Sequence, residues 1–76
     1  MSIVYSENAT HRQNLLNAEI ARVAAYAAAA GNQASIKAAD IVYARAALVS
    51  AKANNCSASQ WQDMLRELGV TGACDG

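Results

Sequence analysis

The stretch from Leu15 to Ala53 does most to limit what this chain can fold into, because it reads as two Ala-rich helical segments interrupted once, at Gly31 and Asn32. Before the interruption Leu16, Ile20, Val23, Ala27 and Ala30 recur at intervals of four, three, four and three, the stripe of a helix that buries one side. After it Ala39, Val42, Ala46, Val49 and Ala53 repeat the pattern. Two such stripes joined by a tight turn predict an antiparallel hairpin, with facing alanines letting the backbones approach toward the short end of the usual interaxial range. The plainer contribution of the alanines is helix propensity, and the two effects act together.

At 100° per residue the second helix carries three apolar faces. Ala39, Val42, Ala46, Val49 and Ala53 form one, Ile36, Tyr43 and Ala47 a second, and Ile41 with Leu48 a third. Lys37, Asp40, Arg45 and Lys52 are scattered between them, so no broad wet side emerges. A helix apolar nearly all round is normally buried on several sides. The other two helices of so short a chain cover two faces, which leaves the third for another molecule. Ile36, Ile41, Tyr43, Leu48 and Trp61 are therefore the expected interaction residues, against the plain alternative that single apolar residues are tolerated at surfaces.

A third helix is punctuated by Ser57 with Gln60, or Ser59 with Gln62, as capping boxes, and by Gly69 as its stop. Val70 beyond it is placed to touch Leu65 in a Schellman ending. Trp61, Met64, Leu65 and Leu68 share one face opposite Gln62, Asp63, Arg66 and Glu67, so this helix is amphipathic and folds across the hairpin or docks into a partner's groove. The first helix begins at a Ser6 cap or at a Thr10–Gln13 capping box, and the second is capped by Asn32 or Ser35. The fold class expected is all-α: an antiparallel Ala-rich hairpin with a short third amphipathic helix, an extended N-terminal arm at Met1–Tyr5 and a flexible C-terminal tail from Thr71. The whole, residues 1–76, makes a single helical domain.

With 76 residues, 19 of them Ala against 14 Leu, Ile and Val, and no Phe, the core is short of large side chains. Chains of this size often need staples or association. Net charge is zero and the six basic residues are dispersed, so no electrostatic footprint for nucleic acid is present. The longest apolar run, Val23 to Ala30, is eight residues, well under the roughly 20 a membrane span requires. No secretory signal is visible, and a cytoplasmic product, or one released within a larger particle, is expected. Cys56 and Cys74 bracket the third helix, and an extended tail is long enough to bring them together as a possible disulfide, although cytosolic thiols usually stay reduced.

No catalytic constellation stands out. His11, the single histidine, sits among polar residues and reads as an exposed imidazole. The two cysteines with it fall short of a zinc site, and no glycine-rich phosphate loop exists. No enzyme activity, cofactor, metal or small-molecule substrate is expected, and the partners expected are proteins, including further copies of the chain.

Through the Gly31-Asn32 turn and the segment Ile36-Lys37-Ala38-Ala39-Asp40-Ile41 that opens the second helix, the stretch from Arg12 to Asn55 resembles the small helical-hairpin proteins of tailed bacteriophage particles, such as head, decoration and head-to-tail components. The resemblance implies a non-enzymatic, multi-copy structural protein located in the virion. The alternative is a small binding inhibitor or adaptor, for example a phage-encoded blocker of a host defence or replication complex.

Overall fold

A computed structural model describes residues 9–70. Three helices follow one another: α1 at Ala9–Ala29, α2 at Gln33–Ala53 and α3 at Ser59–Glu67. The fold is all-α, a helical hairpin with a short third helix, and no strand occurs among the described residues. The N-terminal arm (residues 1–5) and the C-terminal tail with Cys74 (residues 71–76) lie outside them. The pairing of Cys56 with Cys74 therefore lies outside them too, and Cys56 itself is half-buried, with Sγ 3.6 Å from the Asn54 carbonyl oxygen.

The turn between α1 and α2 uses two left-handed residues in succession, Ala30 (φ 50°) and Gly31 (φ 86°). Gly31 takes this conformation at little cost; Ala30, with a Cβ, does so at about 1 kcal/mol. Asn32 is the N-cap of α2, its Oδ1 accepting from the Ser35 amide at 3.0 Å. Both later helices close in Schellman geometry. At the end of α2 the Cys56 amide reaches the Ala51 carbonyl at 2.8 Å, with Asn55 left-handed at φ 59°. At the end of α3 the Val70 amide reaches Leu65 at 3.0 Å, with Gly69 left-handed at φ 85°. The start of α3 departs from the serine capping boxes. Its N-cap is Ala58, without a side-chain bond, and Ser57 and Ser59 lie with their hydroxyls 3.4 Å from each other. Ala58 is also packed against the core, so burial of its methyl occupies the position a polar cap would need.

Helix α2 is the middle element. On one side α3 covers it: Ala44, Leu48 and Leu65 form a buried cluster with Ile41, Ala58, Trp61, Met64 and Val70 around it. The expectation that Ile41 and Leu48 form a face left for another molecule is thereby overturned. Leu48 is 4% exposed, and it is the amphipathic α3 of the same chain that covers it. On another side α2 meets α1 through small residues, with Ala39 and Ala47 buried.

Which side of α1 meets α2 is the second correction. Leu16, Ile20 and Val23 are 52%, 61% and 58% exposed, and Val42 and Val49 of α2 are 65% and 67% exposed. Ala46 and Ala53 are exposed as well, so of the expected α2 seam only Ala39 is buried. Helix α1 turns His11, Leu15, Ala18, Arg22, Ala25 and Ala29 inward, a second stripe with the same alternating spacing. Its small residues let the helices close on Ala39 and Ala47, which a bulky Leu-Ile-Val seam would hold apart.

Two substitutions test this packing. Leu65→Ala removes the side chain, 1% exposed, that fixes α3 to α2, and is expected to cost about 3 kcal/mol in urea denaturation. Ala30→Gly relieves the left-handed alanine of the turn and is expected to raise stability by about 0.5–1 kcal/mol, read as a higher melting temperature.

Candidate interaction surface

Two polar ties set the inward side of α1. Near one end His11, 1% exposed, places Nδ1 2.7 Å from the Ser50 hydroxyl oxygen, which also accepts from Asn14 Nδ2 at 3.0 Å. Near the other, the Arg22 guanidinium lies 4.0 Å over the Tyr43 ring, 2.5 Å from Glu19 and 3.8 Å from Asp40. The Tyr26 hydroxyl donates to Asp40, and that bond, with desolvation and the carboxylate's charge, holds the phenol above its ordinary value of 10.0. Tyr26 is thus tied to α2 and does more than cover apolar surface.

His11 is therefore buried where an exposed imidazole was expected. The Nδ1–Oγ contact is made in either tautomer, so the pair is satisfied while shielded from water. Although a histidine beside a serine has the composition of a nucleophile and its base, Ser50 is 6% exposed in the last turn of α2, and its hydroxyl is engaged by both His11 and Asn14. The pair acts as a staple between residues 39 apart in sequence.

With that side of α1 turned inward, Ile20 and Val23 point away from α2 together with the exposed Ala27, and Leu16, more than half exposed, borders a depression shared with Tyr43 and Trp61. At 100° per residue Ala24 follows next around the helix, and then Ala21 and Ala28. These last two form one wall of a groove of about 520 Å³ between α1 and α2, whose other wall includes Ala38 and Val42. An apolar surface thus runs from the rim of α2, across the alanine-walled groove, around the outer side of α1. On the outer side of α1 charge is confined to the edge, at Arg12 and Glu19, while Arg22, paired with Glu19, lines the groove.

The expected interaction residues are placed differently. Ile41, Leu48 and Trp61 come together in the core cluster, and Tyr43 meets Trp61 edge-on, centroids 5.6 Å apart at 80°. Ile36 is partly buried near the start of α2 and is not part of that cluster. The Trp61 indole N–H is buried with no hydrogen-bond acceptor among the described residues. The exposed apolar residues Leu16, Ile20, Val23 and Val42, which form the surface, and Val49, which lies apart from it beside Asn14 and Asn17, are legible in sequence as stripes, but periodicity directs them inward. The missed signal is the complementary pairing of Asn14 with Ser50 and of Arg22 with Asp40 and Tyr43, positioned nearly symmetrically about Gly31 and able to form only if the other stripe faces α2.

Among the described residues no group of His, Cys, Asp and Glu is arranged to hold a metal ion, and no helix is long and apolar enough to cross a membrane. No family model matches the chain, and no curated protein or solved structure was found to be similar to it.

The buried imidazole gives a pH dependence. Burial holds its pKa below the ordinary 6.5. Above 6.5 the ring is neutral in both folded and unfolded chains; below it the unfolded chain takes up a proton that the folded chain resists, so acid favours unfolding. The urea midpoint is expected to fall as pH drops from 6.5 through the lower folded-state value, and His11→Asn is expected to flatten that dependence.

Proposed function

We propose that the chain is a non-enzymatic protein-interaction unit, a small component present in many copies in a larger assembly such as the head, decoration or head-to-tail parts of a phage particle. The observation that carries this reading is the outward stripe of α1, with Leu16, Ile20 and Val23 each more than half exposed. Fully burying such side chains is worth about 1.5–3 kcal/mol each, so roughly 2.5–5 kcal/mol of apolar stabilisation is left unrealised in the single chain. A contiguous apolar surface with charge only at its edges is the composition of a docking face. The neutral chain and its dispersed charges favour protein partners over nucleic acid. The open alanine-walled groove favours a second reading, an adaptor or inhibitor that receives the side of a partner's helix.

Tagged full-length protein expressed in the organism that encodes it tests the interaction reading. The wild type is expected to copurify with a high-mass assembly, and Ile20→Asp, at a position 61% exposed, is expected to lose that association while keeping its helical circular dichroism. Equal copurification by both proteins would overturn the role given to the stripe.

A further inference from the structure

Resting on that interaction reading, we infer that the outer side of α1 pairs with the same side of a second copy of this chain, antiparallel about a two-fold axis passing between Ala21 and Arg22. The order of residue sizes along the stripe points to this occupant. Along the stripe the two larger side chains, Leu16 and Ile20, come before the two smaller ones, Val23 and Ala27. Under the two-fold, Leu16 of each copy faces Ala27 of the other and Ile20 faces Val23, so a larger residue meets a smaller one in each layer and the helix separation is more even than in the parallel arrangement. A two-fold contact has to be self-complementary in this way. The alternating spacing of four and three is that of a helix-to-helix seam with knobs entering holes. A parallel pairing would instead set Leu16 on Leu16 and Ala27 on Ala27, wide at one end and open at the other.

Charge agrees with the same register. The chain has no net charge to oppose self-association. Glu19, on the edge of the stripe, comes beside Tyr26 of the other copy and stays away from its own symmetry mate, and within its own chain it is already paired with Arg22. Antiparallel helices also oppose their dipoles.

Area sets the strength. Helix α1 has 21 residues, about 31 Å of length, and the outer half of a cylinder of that length and about 10 Å across is about 500 Å². That is about a tenth of the 4745 Å² surface, and two copies together reach about 1,000 Å², the lower end for specific interfaces. An interface of that size is that of a reversible, concentration-dependent dimer.

Sedimentation equilibrium of the full chain under reducing conditions, from low micromolar to near-millimolar concentration, tests it. Wild type is expected to pass from monomer to dimer. Ile20→Asp and Val23→Asp are each expected to weaken the dimer by at least about 30-fold, while Val49→Asp, on α2, leaves it intact; circular dichroism verifies that each variant is folded. Register is read by mixing Leu16→Cys and Ala27→Cys proteins in a Cys56→Ser, Cys74→Ser background, where the mixed disulfide is expected to outrun either symmetric one. A wild type that stays monomeric, a dimer lost in Val49→Asp but kept in Ile20→Asp, or dominant 16–16 linkage would overturn the inference. If the wild type stays monomeric yet loses its assembly association on Ile20→Asp, the two-copy pairing fails and the interaction reading stands; if that association is also indifferent to Ile20→Asp, both fail.

Discussion

The buried contact between His11 and Ser50, working with Arg22 against Asp40 and Tyr43 at the other end of the seam, decides which side of α1 faces α2. Helix α1 has two stripes of helical spacing, one bulky and one mostly small. Turning the bulky stripe inward would bury more apolar area, but it would leave these polar partners unmatched and push the helices apart over Ala39 and Ala47. A buried polar group without a partner costs more than a satisfied one contributes, so pairing outweighs raw area at this seam. The exposed stripe, the groove beside it and the site that follows from them are consequences of that choice.

Stability is divided unevenly between the two contacts of α2. The α2–α3 contact is conventional, with Leu48 and Leu65 interdigitating and Trp61, Met64 and Val70 closing around them. The α1–α2 contact is built from small side chains and a few polar ties, and its gain comes from close backbone approach and dispersion, with little large-residue burial. Helix α1 is thus held along its length mainly by small side chains and polar ties, and it is the helix that presents an apolar outer side. A contact on that side would add the burial that its inner side lacks.

Large apolar residues are few in the α1–α2 seam, Leu15 and Tyr43 among them, so the bulkier stripe of α1 is left outside it without loss of the fold. The stripe is narrow, with Glu19 on one flank and Gln13 and Asn17 on the other, themselves linked at 3.1 Å. A narrow apolar strip with polar borders restricts the geometries in which another helix can lie on it.

Local chemistry was sufficient for the elements themselves. Alanine content and spacing, Gly31 with Asn32, Gly69 with Val70 and the two-sided pattern of the third helix gave three helices, their turns and the burial of Leu65, because helix formation and termination depend on residues a few positions apart. Tertiary structure alone decided that Leu16, Ile20 and Val23 face outward, that Ile41 and Leu48 are covered by α3, and that the single histidine is buried against Ser50. Periodicity says which residues share a side of a helix. Which side the neighbour takes depends on side chains that meet across the hairpin, as far apart in the chain as His11 and Ser50, and that energy exists only once both helices are in place.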